Sequence, residues 1–494
     1  MPFLVWKTIG GKKRLVMRWN KRINGKARIT KEIYIGDMEN LARIVSGHVD
    51  VDAYSLSFGT TASILLMERD IGIKSMIDGI VGRHGTGMSP GDYFLVFIMN
   101  RLSDPESKSG IERWMPGDFA STLYPKKGSQ DFWNLMDRIT DEHMKLIMKS
   151  VSGKVRAMGY DFSRIFVDAS NMYTFMDEND MAKRGHNKKH RYDLNQISYY
   201  IGSNYDYIPL FWNAYAGNIH DSKTFPEMVK QIPEDSIIIF DRGYNSADNV
   251  GIIKNRKYIG SLILSDHSDL LDLPVGKDSF IETEKIVYGR NHRVILYHSS
   301  KLQRKRIISF MKKFRKTYIR TRSIIESGDS DSMERAMSYL ESRNLNETII
   351  LPDMHVDHER MKKRLKLLGM NALFTDITDM SADALIDLYR KRNRVEHCFR
   401  TINTMDIAFP IYHWTPQKIK VHMFMSLLAY LFLALIYNRM RIVDERVSLV
   451  SARDILNSVR IQYILSGKEV TKKIDSASLE ARRIAEQLKL MSVA

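Results

Sequence analysis

The sequence predicts an α/β protein built from several modules, on three observations. Between 164 and 264 short β-rich runs follow one another, IFVDAS, QISYYIGSN, YIPLFWNAY, SIIIF and YIGSLIL, each bounded by turn residues or helical spacing. Helical stretches near 222–231 and 246–256 fall only between the last three runs, so three strands in succession precede an alternation of helix and strand. At 494 residues the chain also exceeds one compact core, since domains typically run roughly 100–200 residues.

That strand order is the one found in ribonuclease-H-like folds, and the other modules are placed around it. Residues 1–50 read as a basic β-hairpin arm: ten Lys and Arg, from Lys7 to Lys31, precede the first acid, Glu32, and Gly10-Gly11 and Asn24-Gly25 supply tight turns. A solvated hairpin fits those charges as well as a DNA contact does. Residues 51–150 have helical spacing divided by Pro90, Pro105, Pro116 and Pro125, as in a helical DNA-binding module or a structural bundle. Residues 151–265 read as the first part of an α/β core. An insertion subdomain, 266–369, β-rich and helical, combines FIETEKIVYG and HRVILYHS with a helical run from Lys301 to Arg322 that carries ten basic residues and no acid.

The core resumes over 370–442, with NALFTDI at 371–377 and then one long helix from near Ser381 through Glu396. Ser381 suits an N-cap, and Asp383 in the first turn favours the helix dipole. The apolar stretch 423–437 is shorter than the roughly 18–20 residues that span a bilayer, and reads as a buried core helix. The tail, 443–494, is polar and charged and reads as helical.

Apolar residues make up 44% of the chain and charged residues 27%, ordinary values for a folded protein. Against 58 Asp and Glu stand 75 Lys and Arg, and the resulting +17 favours polyanionic partners such as DNA, RNA or an acidic membrane surface. The lone cysteine, Cys398, excludes an internal disulfide and a cysteine zinc site. The opening MPFLVWKTIGGKKR lacks the apolar stretch of a secretory signal, so a cytoplasmic protein is expected.

Asp168 lies inside IFVDAS, where an unpaired carboxylate would be costly to desolvate. Asp241 ends a buried run and is followed by Arg242 and Gly243, a sharp exit. Each alone also fits a structural acid paired with an arginine. Tyr389, Arg392 and Glu396 stand at intervals of three and four, on one helix face that Arg400 extends. A tyrosine, a cation and a carboxylate in line suit a phosphate-and-metal site; a solvated salt-bridge face gives the same pattern.

FVDAS (166–170), GHNKKHRYDLNQ (185–196), IPLFWNAYAGNIHDSKTF (208–225), IIFDRGYNS (238–246) and LYRKRNRVEHCFRTIN (388–403) resemble insertion-sequence transposases with a ribonuclease-H-like catalytic core, in the IS-four-like branch marked by a Tyr-Arg-Glu-Lys helix signature. The likeness extends to GKARITKEIYIG, to 100–114 and to 410–435. It implies Asp168, Asp241 and Glu396 as catalytic and metal-binding carboxylates, and places Tyr389 and Arg392 at the signature's first two positions. Seven residues beyond Glu396, where the family has lysine, this chain has Asn403, with Arg400 as a substitute phosphate contact.

The resemblance implies a DNA transposase that binds element ends and performs strand cleavage and strand transfer, with no covalent intermediate. Three carboxylates without clustered cysteine or histidine suit two Mg²⁺ or Mn²⁺ ions, which would activate the attacking oxygen and stabilise the leaving one. The expected partner is double-stranded DNA, both terminal inverted repeats and target, bound by a homodimer at the nucleoid. Phosphate contacts are expected from Tyr389, Arg392, Arg400, Lys188, Lys189, Arg191, Lys312 and Lys313. Asp193 and Asp221 are the acids most easily mistaken for metal ligands. Two further readings stand beside this one. A catalytically inactive DNA-binding protein derived from a transposase is favoured by Asn403 alone, and a stand-alone nuclease of the same fold is disfavoured by the N-terminal region and the insertion.

Overall fold

A computed structural model of the chain describes residues 2–9, 11–23, 26–46, 51–83, 85–185, 193–409, 411, 413–466 and 469–494. In chain order the strands are β1 (Pro2–Ile9), β2 (Lys12–Ile23), β3 (Lys26–Gly36), β4 (Val51–Ser57), β5 (Arg164–Thr174), β6 (Asn195–Ser203), β7 (Pro209–Ala216), β8 (Ile237–Ile239), β9 (Tyr258–Leu262), β10 (Phe280–Val287), β11 (Arg290–His298), β12 (Ile349–Ile350), β13 (His355–Val356), β14 (Met370–Thr375), β15 (Val459–Ser466) and β16 (Glu469–Ser476). They fall into two compact units, one comprising Met1–Ser63, Met115–Leu123 and Asp454–Ala494, the other Ile64–Trp114 and Tyr124–Arg453.

In the first unit the basic arm is a three-stranded antiparallel sheet, β1-β2-β3, one strand more than a hairpin. Its first acid spans two strands: Glu32 pairs with Lys7 at 2.8 Å and Arg18 at 2.6 Å, and these contacts hold its carboxyl below the ordinary range. Part of the arm's positive charge is therefore spent on cross-strand pairing.

The second sheet, β16-β15-β4, corrects two expectations. Residues 51–150 open with a strand, and the tail 443–494 carries a hairpin between its helices Leu449–Asn457 and Leu479–Gln487. The polar composition of the tail hides a period of two: Val459, Ile461 and Tyr463 are buried, and Tyr463 stacks on Tyr54 with ring centroids 4.8 Å apart.

The second unit is organised by an eight-stranded sheet of order β10-β11-β14-β9-β8-β5-β6-β7. Strands β5, β6 and β7 form an antiparallel meander, and β8 and β9 add in parallel on the other side of β5, the arrangement the strand order predicts. The sheet then continues through β14, β11 and β10, all antiparallel. Strands β10 and β11 come from the stretch expected to be an insertion. Val294, Ile295, Leu296 and Tyr297 of β11 are all buried, which requires cover on both faces of the sheet.

What stands apart from the sheet is mainly helical. Helices Ser300–Glu326, Ser332–Ser342 and His358–Leu367, with the short pair β12–β13, enclose a small core of Leu340, Leu345, Ile349 and Met354, against which Phe310, Phe314 and Tyr318 pack.

The apolar stretch expected to span 15 residues belongs to a 28-residue helix, Pro416–Val443. Length and composition would let it cross a membrane, but 94% of its most apolar window is buried inside the protein. Trp212 of β7 stacks on its Phe424 at 5.7 Å. The extra first turn is amphipathic: Lys418 pairs with Asp137 at 2.9 Å and Lys420 with Asp141 at 2.6 Å.

Beside this helix Lys108 is fully buried, its Nζ 3.1 Å from His413 Nε2 and 2.7 Å from His422 Nδ1. His422 Nε2 lies 2.7 Å from the Ala408 carbonyl and donates to it, leaving Nδ1 as an acceptor. Burial, then the nearby Lys108, Lys418 and Arg101, lowers His413 to about 3. His422 is likewise held neutral by burial and then by Lys108. A histidine with a folded pKa below its unfolded value binds fewer protons when folded. Stability should therefore fall as pH drops from about 6.5 toward the folded value, by about 3 kcal/mol at pH 4 for His413 alone. Urea unfolding at pH 7 and pH 4 checks this: His413→Gln, which keeps an acceptor for Lys108, should lose less stability than wild type over that interval. Equal losses would remove His413 as the cause.

Candidate active site

β5 and β8 lie parallel, with Arg164, Ile165 and Phe166 opposite Ile237, Ile238 and Ile239. Carried two residues onward, that register sets Asp168 level with Asp241, just beyond the end of β8. Ile165, Phe166, Val167, Ile238, Ile239 and Phe240 are all buried, so both acids emerge from strands fixed in the core. After Asp241 the chain leaves the sheet through the short turn Arg242–Tyr244. Each aspartate accepts the following N–H on Oδ1, from Ala169 at 2.8 Å and from Arg242 at 2.8 Å. Each Oδ2 lies on the side that the two acids share with Arg392.

The third acid comes from a region expected to be one helix from near Ser381 through Glu396. There are two, Ala382–Arg390 and Asn393–Thr404. Ser381 caps the first, accepting the Ala384 N–H at 3.3 Å. At the junction the backbone tightens to bonds three residues apart, Arg392 N–H to Tyr389 at 3.0 Å, Arg394 N–H to Lys391 at 2.9 Å and Val395 N–H to Arg392 at 3.2 Å. No proline or glycine marks the break. Val395, Cys398, Phe399 and Ile402 bury one face of the second helix, with Phe399 edge-on to Tyr199 of β6 at 5.2 Å, which leaves Glu396 on the open flank.

Arg392 stands in the middle of the three acids. Its Nη1 is 3.6 Å from Asp168 Oδ2 and 3.6 Å from Asp241 Oδ2, while Nη2 donates to Glu396 Oε1 at 2.9 Å. Its Cζ lies 5.9 Å from the centre of the Tyr389 ring. Burial opposes the arginine's charge, but Asp241, Tyr389, Asp168 and Glu396 together outweigh it and hold the group above its ordinary value. Burial and then Asp241 push the Tyr389 hydroxyl up to about 12, so it stays protonated. Nη1 is buried without a hydrogen-bond acceptor, since 3.6 Å is beyond hydrogen-bonding range.

Among the described residues no three carboxylate, imidazole or thiol groups stand close enough to hold a metal ion directly. The three acids meet around a guanidinium instead. The donor set is nonetheless wholly carboxylate oxygen, and the orphaned Nη1 marks a place between the aspartates that attracts a cation without hydrogen-bonding it. A hard divalent ion fits such a set.

The family model described as the transposase DDE domain matches residues 159–432, more than half of the chain. The chain belongs to that family. No curated protein matches it with significant similarity. The matched segment of this DDE transposase runs from just before β5 into the core helix Pro416–Val443 and contains all three acids.

Of the other residues singled out from the transposase sequence, Arg400 is exposed and Asn403 half-buried, and among the described residues Arg400 makes no ion pair. Lys312 and Lys313 are exposed on the helix Ser300–Glu326. Lys188, Lys189 and Arg191 lie outside the described residues. Asp221 accepts the Tyr215 hydroxyl at 2.8 Å, a structural employment for that acid, and Asp193 is exposed.

Tyr244, near Asp168, and Arg306, near Arg242 and Tyr389, have roles that the sequence does not announce. Tyr244 is buried with no partner for its hydroxyl, which burial, then Asp168 and Asp221, hold firmly protonated. Arg306, from the basic run, donates to the Leu368 carbonyl at 3.0 Å and Asn371 Oδ1 at 3.1 Å, and burial, with Arg242 nearby, lowers its pKa. The tyrosine of DRGYNS was available as a signal; nothing local distinguishes Arg306 from its basic neighbours.

Proposed function

We propose that this DDE transposase is an insertion-sequence transposase of the IS-four-like branch, which cleaves DNA at its element ends and joins them to target DNA. The observation that carries the reading is the convergence of Asp168, Asp241 and Glu396 on one cation from two core strands and a helix. In this reading the three carboxylates hold two Mg²⁺ or Mn²⁺ ions. Such ions lower the pKa of an attacking hydroxyl and stabilise the departing oxygen in an in-line displacement.

The chain's own groups do the rest. Asp168 and Asp241, anchored by the N–H that follows each, keep fixed positions on the sheet, while Glu396 closes the site from the helix flank. Arg392 and the protonated Tyr389 orient the scissile phosphate, the arginine through its fork of N–H donors. Further phosphates are met by Arg400, Lys188, Lys189, Arg191, Lys312 and Lys313, and the arm and the helical stretch within 51–150 read the terminal repeats. A homodimer on DNA, at the nucleoid, completes the proposal. The test is a strand-cleavage and strand-transfer assay with the inverted repeats that flank the coding region. Ends that are bound but never cut, with either metal, would favour an inactive DNA-binding descendant; cutting without joining would favour a nuclease.

Arg400, three residues before Asn403, is the nearest cation in sequence to replace the missing lysine. Arg400→Ala should weaken binding of an end duplex by about 1 kcal/mol or more, roughly fivefold, whereas Asn403→Ala should change it little. Fluorescence anisotropy gives both values, and the reverse ranking would return the phosphate contact to Asn403.

A further inference from the structure

We propose that Arg392 is an internal counter-cation that holds the three carboxylates together in the ion-free protein and leaves their midst when a divalent ion enters. The inference rests on the reading of Asp168, Asp241 and Glu396 as metal ligands. Three acids gathered at one place repel one another, and Asp168 is nearly out of reach of solvent, its side chain 12% exposed. Among the described residues the cation paired with all three is Arg392, at 3.6, 3.6 and 2.9 Å.

The hold is incomplete. Nη1 attracts both aspartates without hydrogen-bonding either, so it bears the penalty of a buried unsatisfied N–H. A small divalent ion held by the same carboxylates would compete with the guanidinium, because two cations repel each other in one space. The arginine can also move: it sits at the junction of two helices, where the backbone already departs from α-helical bonding, and neither helix need unwind for its side chain to swing out.

A phosphate is the natural destination for the released guanidinium, because it accepts the planar fork better than two aspartates at 3.6 Å do. Metal and DNA then assist one another by linkage. An ion that expels Arg392 frees it for the phosphate, and a phosphate that draws Arg392 away clears the place for the ion.

The test uses the full-length chain without DNA and Mn²⁺ as the probe. In titration calorimetry Arg392→Gln should bind Mn²⁺ at least tenfold more tightly than wild type. Without metal the same variant should melt several degrees lower, a gap that saturating Mn²⁺ narrows. Equal or weaker Mn²⁺ affinity would overturn the counter-cation role while leaving the metal site intact, provided Asp241→Asn still loses Mn²⁺ binding. If Asp168→Asn and Asp241→Asn leave Mn²⁺ binding unchanged, the metal reading falls and this proposal with it. Should Arg392→Gln fail to fold, a crystal structure of the wild-type chain with Mn²⁺ decides: the guanidinium found outside the space between Asp168 and Asp241 supports the exchange, and one still lodged there beside the ion overturns it.

Discussion

Asp168→Asn, Asp241→Asn and Glu396→Gln should each reduce strand cleavage by roughly a thousandfold or more, a loss of about 4 kcal/mol in transition-state stabilisation. Each change preserves shape and removes one negative charge. The structure explains why folding should survive: an asparagine Oδ1 at 168 or 241 can still accept the N–H of Ala169 or Arg242, the contact each aspartate makes at 2.8 Å. End binding should persist or strengthen, since an anion has been removed near the DNA. Gel shift and cleavage assays on one labelled end duplex separate the two effects. A variant that cuts within tenfold of wild type would strike its residue from the metal site; loss of binding in step with cleavage would point to misfolding.

The parts of this site that sequence exposes are those governed by local rules. A carboxylate inside a β-rich run, or at its abrupt end, conflicts with burial, and that conflict marked Asp168 and Asp241. The order of strands fixed their relationship, because β5 and β8 become parallel neighbours only when β6 and β7 occupy the other side. What remained hidden depends on tertiary balance. The break at Lys391–Arg392 has no proline or glycine to announce it, and spacing of three and four predicts an unbroken face. The sequence marks Arg392 as a phosphate contact, and its place among Asp168, Asp241 and Glu396 follows from three carboxylates that only the fold brings together. NALFTDI is legible as the return of the core, but the place of β10 and β11 in the same sheet is not, because β11 pairs with β14 across a helical excursion of about 70 residues, 299–369, that leaves no local trace of the pairing. In the tail, Val459, Ile461 and Tyr463 were outvoted by the charges around them.

Replacing Lys312, Lys313, Arg315 and Lys316 together with Gln should flatten the salt dependence of DNA binding by roughly two to four units of log-log slope. The ten cations between Lys301 and Arg322 are not equivalent. Arg306 is committed to Leu368 and Asn371, and Arg322 pairs with Glu326 at 2.8 Å. Phe310, Phe314 and Tyr318, four residues apart, turn one side of this helix to its small core. Lys312, Arg315 and Lys316 are left on the exposed side with Lys313 on its flank, and among the described residues none of the four has an ion-pair partner. Charges so placed gain little from the protein itself, so their removal should leave the melting temperature nearly unchanged. Against a phosphate backbone each contact releases counterions at close to 0.9 per charge, and losing four would lower affinity by orders of magnitude at low salt while mattering less at high salt. Anisotropy titrations of an end duplex from about 50 to 300 mM salt give the slope directly. An unchanged slope in a folded variant would place the DNA path away from this helix and leave its neutralisation to the basic arm.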